Sequence, residues 1–334
     1  MSESIFNTTS LDRSVIHWED HIYDLSPVEK CGPIWLKRED KFAPLGYGNI
    51  NGSKLRVCIW LISNAIASGA KGVIHGAVTG SPQHPMVATI CKHYGVPCID
   101  VVGTDDFVNH RNLAIAKSMG AQFVPCKVGY AKTLEATAYR LQREQHPDYF
   151  VLETNITVTE RRSGVDRIKN FHAVGGAQAA NIPEHISTLI LPAGSCNSAV
   201  GALYGIAHRR AQSQLKNLRT VVLMGIGNYG SKDPDFIRRR LSLIEAGDVF
   251  NWPWATDSTL PLGPDTDKID VHHYDLNGSG YCAYSDQMPF NFFGVELHPR
   301  YEGKIFNYLN DDWPKFGHLF NNSTCFWIVG GPVT

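Results

Sequence analysis

The sequence predicts an α/β protein of two domains built on parallel sheets, on three observations. From about residue 55, short apolar runs alternate with longer segments whose apolar residues recur at helical spacing, the pattern of a parallel sheet with crossover helices. Several apolar runs end in small, polar, glycine-containing loops, and ligands gather at such carboxyl ends of parallel strands. At 334 residues the chain exceeds the roughly 100–200 residues of one domain.

Taken in order, Leu55, Cys58, Ile59, Ile62 and Ile66 share one helix face. GVIHGAV (72–78) is an apolar strand of the kind buried on both faces, and it runs into a glycine-containing loop. A helix over 85–94 follows, then the strand PCIDVVG, a helix over 109–119, the strand QFVPCKV, a helix over 130–145 and the strand DYFVLE. The polar segment ITVTERRSGVDRIKN interrupts the alternation before a helix over 171–181. STLILPAGS (187–195) is a strand entering a small-residue turn and a further helix, and TVVLMGIG is a strand followed by a helix over 234–246. The stretch 250–270, rich in Pro, Asp and Trp, reads as a long irregular excursion.

Charge excludes some functions. Basic and acidic side chains number 31 and 32, so no general nucleic-acid or anionic-membrane surface is advertised, and Arg238-Arg239-Arg240 reads as a solvated helix face. The N-terminus lacks a charged start followed by an apolar region, and no apolar run approaches the roughly 18 residues of a membrane span, so a soluble cytoplasmic protein is expected. Eight cysteines never form CxxC and read as reduced, mostly buried thiols. Fourteen histidines show no HEHxxH-like spacing, so no metal site is expected.

Four stretches could carry chemistry. In NINGSKLRVCIWLI a polar, glycine-marked turn runs directly into an apolar helix face, with Lys54 at the hinge. GAVTGSPQHPMVA offers Thr79, Gly80, Ser81, Gln83 and His84 at a strand end, where hydroxyls and backbone donors can hold a substrate carboxylate. LPAGSCNSAVGALYG places Gly194, Ser195, Cys196, Asn197 and Ser198 between a strand and a helix, a cup of N–H groups suited to a phosphate dianion. GIGNYG (225–230) matches GxGxxG, the mark of a dinucleotide site or of a plain glycine turn.

KRED (Lys37–Asp40), NGSKLR, the polar strand-end loop, the glycine-serine cup and HPRYEGK (His298–Lys304) follow one another in the order seen in fold type II pyridoxal-phosphate enzymes. Over roughly residues 30 to 331 the chain most resembles their 1-aminocyclopropane-1-carboxylate deaminase and D-cysteine desulfhydrase branch. The resemblance implies two three-layer α/β/α domains of the tryptophan synthase beta-like kind, with pyridoxal 5'-phosphate in the cleft between them. It implies a large domain of residues 1–56 and 158–334, a small domain of 57–157, and a homodimer. Residue by residue it makes Lys54 the Schiff-base lysine, Ser81 the substrate-loop serine, Gly194 to Ser198 the phosphate cup, Tyr301 and Glu302 the ring-facing pair, and Tyr281 a second active-site tyrosine. The chain departs from the family in carrying Pro82 where an asparagine is usual, and NGS in place of GGN before the lysine. It also stops at VGGPVT, where relatives continue into a closing helix.

These roles set requirements. Lys54 must often be neutral, which needs burial or a neighbouring cation such as Arg56, or a helix N-terminus. A carboxylate at Glu302 favours a protonated pyridine nitrogen and so a strong electron sink, suited to carbanion chemistry. The expected function is a deaminase or lyase acting on a small amino acid or other primary amine. The alternative is a decarboxylase of an amino acid, including one attached to a thymine base in bacteriophage DNA hypermodification, with Arg161-Arg162 and Arg238 to Arg240 at the rim for flipped-out DNA. A non-catalytic binding protein and a nucleotide-binding oxidoreductase working through GIGNYG are the rival classes.

Overall fold

The computed structural model describes residues 18–44, 50–103, 110–226, 234–252 and 267–330. In chain order the strands are β1 (Val28–Cys31), β2 (Ile34–Arg38), β3 (Val73–Gly76), β4 (Cys98–Gly103), β5 (Gln122–Cys126), β6 (Phe150–Leu152), β7 (Thr188–Ala193), β8 (Thr220–Gly225), β9 (Phe250–Asn251), β10 (Ile269–Asp275), β11 (Phe290–Phe292), β12 (Val295–Leu297) and β13 (Thr324–Ile328). The helices are α1 (Trp18–His21), α2 (Ser53–Ala67), α3 (Gln83–Tyr94), α4 (Arg111–Ser118), α5 (Ala131–Gln145), α6 (Val165–Gly176), α7 (Asn197–Ala211), α8 (Pro234–Leu243), α9 (Glu302–Asp311) and α10 (Trp313–Phe316).

The strands form a seven-stranded sheet in the order β1-β2-β13-β7-β8-β10-β9 and a four-stranded sheet in the order β5-β4-β3-β6. Only the β1–β2 pair of the large sheet is antiparallel, and the four-stranded sheet is wholly parallel. Helices cover the faces, which is why β3, β4 and all but the first residue of β7 and β8 are buried and read as largely apolar runs. Among the described residues no helix is long and apolar enough to cross a membrane. No disulfide joins the eight cysteines, six of which are buried.

Two features differ from the sequence-based expectation. Strands β1, β2, β10 and β13 of the large sheet lie outside the alternation, because charged side chains interrupt VEKC, IWLKR and IDVHHYD, and TCFWI stands far from the βα runs. Helix α6 begins at Val165, inside the segment expected to be irregular, and a 3₁₀ turn over Ala177–Asn181 continues it. Its first turn buries Ile168 while Asp166, Arg167 and Asn170 face solvent, so its apolar stripe is too sparse to see in sequence. Of GIGNYG, residues 227–230 lie outside the described residues, as do 253–266 of the excursion.

The start of α2 is fixed by backbone. Gly52 has φ 92°, and a Cβ there would stand 2.4 Å from the Val329 carbonyl oxygen, so only glycine fits. The next residue, Ser53, donates its N–H to that carbonyl at 2.9 Å, pinning the helix start to the end of β13. Two turns of α6 and α7 cross equally closely, since a Cβ on Gly205 would meet the Gly176 oxygen at 1.9 Å.

KRED anchors the same helix from below. Arg56 Nε donates to Glu39 Oε2 at 2.9 Å, Nη2 to Ser26 Oγ at 2.8 Å and Nη1 to the Ile22 carbonyl at 2.9 Å, with the guanidinium 3.6 Å from the Phe42 ring centre. Both charges are fully buried. Lys37, also buried, donates to the Ser26 carbonyl and to Asn181, and burial lowers its pKa to about 8. Removing one partner of a buried pair leaves the other charge uncompensated. Arg56→Ala is therefore expected to cost about 3–5 kcal/mol in chemical denaturation, and a loss below about 1 kcal/mol would show that the pair does not hold α2.

Candidate active site

A cavity of about 580 Å³ opens where the carboxyl ends of the two parallel sheets meet. Its wall includes Asn51 and Lys54 from the start of α2, Val78, Ser81 and Pro82 from the β3–α3 loop, Gly194, Ser195, Cys196 and Ser198 from the β7–α7 turn, and Val329 and Gly330 after β13. The order of βα units explains the convergence, because each loop leaves the same end of a parallel strand.

Lys54 is the second residue of α2, and its ammonium makes no hydrogen bond or ion pair among the described residues. The residue is half-buried on the cavity wall, and burial lowers its pKa, favouring the neutral amine. Arg56, expected as a cation that depresses Lys54, points instead into the Glu39 network; burial alone is the cause.

The turn before α7 has the backbone of an N–H cup. Cys196 takes the left-handed conformation at φ 65°, and the first four-residue hydrogen bond begins at Val200, so the N–H groups ahead of it have no helical acceptor. A Cβ on Gly194 would meet nothing within 4 Å, leaving open space at the mouth of the cup. The Ser53 and Ser198 hydroxyls lie 3.0 Å apart, so the starts of α2 and α7 are side by side. Asn197, expected in the cup, is turned away; it lines a smaller cavity with His172 and its Oδ1 lies 3.5 Å from the Thr157 hydroxyl.

Glu302 is fully buried at the start of α9. It is not among the residues that line the cavity: its Oε1 accepts the N–H of Val329, which does line it, at 2.9 Å, while Oε2 has no hydrogen-bond partner. Burial raises its pKa to about 8. Tyr301 lines the cavity, and burial together with the adjoining Tyr284 pushes its phenol well above the ordinary range.

Several expected residues lie off the wall. The Tyr281 hydroxyl donates to Asp311 at 2.5 Å and its ring packs edge-on against Tyr308, outside the cavity; Tyr284, three residues on, lines it instead. Thr79 and Gly80 are half-buried beside the cavity, and the Gly80 carbonyl accepts from Asn112 at 3.1 Å. Gln83 and His84 are buried in the loop's base: Gln83 Nε2 reaches the Glu153 carbonyl at 3.4 Å, and His84 engages Asp100 and Val78. Their side chains point inward because α3 begins at Gln83, two residues earlier than its apolar spacing indicated.

The wall also holds residues that spacing did not single out. Asn155 and Ile156 both have positive φ, 67° and 53°, an uncommon and strained pair that turns Asn155 and Thr157 into the cavity at the end of β6. The Asn/Thr cluster of ETNITVT directly after a strand was the available signal. His298 stacks on Tyr301 at 4.5 Å, and burial, then Arg300 and Lys54, lower its pKa to about 4. The basic runs are largely neutralised: Arg162 contacts Glu135 and Glu153, and Arg240 donates to the Val158 carbonyl and approaches Glu160.

A partnerless amine, an N–H cup with open space before it and an orphaned buried carboxyl oxygen suit an aldehyde, a phosphate and a ring nitrogen respectively, and so the residues fit pyridoxal phosphate.

No family model matches the chain. An O-seryl-dTMP PLP-dependent decarboxylase of Salmonella phage ViI is 36% identical in an alignment of 378 positions that takes in 98% of this chain and 86% of the relative. A 1-aminocyclopropane-1-carboxylate deaminase of Burkholderia vietnamiensis is 34% identical over 94 residues, 26% of this chain and 27% of the relative. Among solved structures, a homologue of that deaminase superposes with a TM-score of 0.63 at 17% identity, covering 92% of this chain and 90% of the other, and tomato threonine deaminase isoform 2 with 0.56 at 14% identity, covering 93% and 85%. With a relative so similar along almost its entire length, the chain belongs to the fold type II pyridoxal-phosphate-dependent enzymes, in the family of the phage decarboxylase.

Proposed function

We propose that this enzyme decarboxylates an amino acid carried on a thymidine nucleotide, of the O-seryl-dTMP kind. The observation that carries the reading is the 36% identity to the phage decarboxylase across 98% of the chain. Bound pyridoxal phosphate supplies an electron sink for negative charge left on the substrate α-carbon. In this reading Lys54 would hold the cofactor and, once freed by the substrate amine, would carry a proton as the ammonium and return it to the substrate carbon that has lost carbon dioxide, its lowered pKa making it a readier donor. The cup formed by Gly194, Ser195, Cys196 and Ser198 would bind the phosphate, and the Glu302 carboxylate would face the ring nitrogen through Oε2 and stabilise a proton held there.

Ser81 and Tyr301, both on the cavity wall, orient the amino acid and limit water. Arg300 supports an anionic substrate: its guanidinium would lie 3.2 Å from a Cβ on Gly80, and with the Gln287 amide oxygen turned toward it at 2.9 and 3.1 Å it has no carboxylate partner among the described residues. Residues 1–56 and 158–334 are read as the large domain and 57–157 as the small one, and the enzyme as a cytoplasmic homodimer whose substrate is free nucleotide or phage DNA. Sedimentation with and without an oligonucleotide tests the last two points.

The second reading, a deaminase or lyase on a free amino acid, uses the same Lys54 and Glu302, and the 94-residue match to the Burkholderia deaminase favours it. Incubation of the yellow holoenzyme with O-seryl-dTMP separates the two. Carbon dioxide without ammonia is expected; ammonia with a 2-oxo acid would transfer the assignment to the second reading. Borohydride treatment followed by peptide mass analysis should mark Lys54, and a protein that stays colourless with added cofactor would overturn both.

A further inference from the structure

We infer that His84 and Asp100, buried beneath the substrate loop, are positioning residues that set the Val78–Ser81 turn for catalysis; this rests on the reading of Ser81 as a substrate-facing residue. The turn is closed by the Ser81 N–H, which donates to the Val78 carbonyl at 2.8 Å. His84 Nε2 lies 2.9 Å from the same oxygen, and its Nδ1 lies 2.8 Å from Asp100 Oδ2. A carbonyl oxygen can only accept, so Nε2 must carry a hydrogen, and the short Nδ1–Oδ2 contact needs one more. The two side chains together therefore hold two hydrogens, and Asp100 is what keeps His84 a donor toward the loop. Both residues are fully buried, on the start of α3 and on the inner strand β4, so the bonds run from the sheet to the cavity wall.

His75 completes the group. Its Nε2 is 3.6 Å from Asp100 Oδ1, both its ring nitrogens and that oxygen have no partner, and burial lowers its pKa to about 4. The three residues bring their ligand atoms within 4.8 Å of one another, although no metal site was expected from the sequence. A closed zinc site takes four ligands, and here Nδ1 and Nε2 of His84 already serve hydrogen bonds.

Asp100→Asn is nearly isosteric but breaks the hydrogen pattern. The introduced amide can accept from Nδ1–H, which leaves Nε2 bare against the Val78 carbonyl unless a positive charge is buried without its counterion. Amide exchange of the holoenzyme reads the turn directly, without reference to activity. The Ser81 amide is expected to exchange on the order of tenfold faster in Asp100→Asn, and kcat to fall on the order of 10- to 100-fold with the cofactor's visible absorbance unchanged. His84→Gln combined with Asp100→Asn restores an amide donor to Val78 and a neutral partner behind it, and should recover most of the Ser81 protection. Unchanged Ser81 exchange in Asp100→Asn, or one equivalent of zinc in the purified holoenzyme, would overturn the inference. A change in exchange in a protein that releases no carbon dioxide would leave the inference standing and sink the decarboxylase reading.

Discussion

Lys54→Ala is expected to lower turnover on the order of 10⁴-fold or more, the largest effect of any single change in this protein. The amine is asked to do two things, hold the cofactor and return a proton; the other lysine on the cavity wall, Lys132, comes from α5, and the nearby Lys304 is committed to the Ala283 and Tyr284 carbonyls. The variant should fold, because Lys54 makes no hydrogen bond or ion pair among the described residues, and the neighbouring Leu55, Cys58, Ile59 and Ile62 keep α2 in the core. It should also still take up cofactor through the intact cup at α7, without the borohydride-trapped adduct. Lys54→Arg is expected to fail as well, because burial that favours a neutral amine cannot neutralise a guanidinium. Turnover within tenfold of wild type for Lys54→Ala would assign the chemistry to another residue.

How much of this was legible in the sequence follows from what each residue depends on. The βα alternation was visible because parallel strands buried on both faces must be apolar, as in β3 and β7. Lys54 and the glycine-serine cup were visible for a related reason, since both interrupt such patterns at a strand or helix end. By contrast, Tyr284 and Tyr281 are three residues apart in a loop without periodicity, so nothing local could choose between them; the choice is made by packing of Tyr281 on Tyr308 and Asp311. His84 failed as a substrate ligand because its partner, Asp100, comes from the next strand, a pairing that only the sheet register creates. Arg56 failed as the cation beside Lys54 because adjacent helix positions face different directions: two residues along α2 turn it toward Glu39. The general pattern is that side chains fixed by their own element were readable, and those fixed by a partner across the fold were not.

Glu302→Gln separates the role of this carboxyl in catalysis from its effect on the fold. With its pKa raised from 4.5 to about 8 by burial, the folded state binds more protons than the unfolded state between those values. The stability it contributes is fully present below about pH 4.5 and is lost as pH rises through about 8. For the cofactor-free protein this amounts to on the order of 3–5 kcal/mol across that window. Glutamine keeps an acceptor for the Val329 N–H but cannot ionise, so the variant's stability should not fall in this way. The comparison with wild type isolates Glu302. His75, His172 and His298 are held by burial at about 4, about 3 and about 4, act with the opposite sign as pH falls from 6.5, and are common to both proteins. Lys37, lowered from 10.5 to about 8, changes stability only above that window. In the holoenzyme the same substitution removes the negative charge that stabilises a protonated ring nitrogen, so turnover should fall on the order of 10²- to 10³-fold while cofactor affinity, carried by the cup and Lys54, falls far less. Parallel curves of stability against pH from 5 to 9 for the two cofactor-free proteins would show that Glu302 does not hold a proton in the fold. Unchanged turnover would show that Oε2 does not face the ring. The two measurements can fail independently, which is what distinguishes a carboxyl placed for chemistry from one that is merely buried.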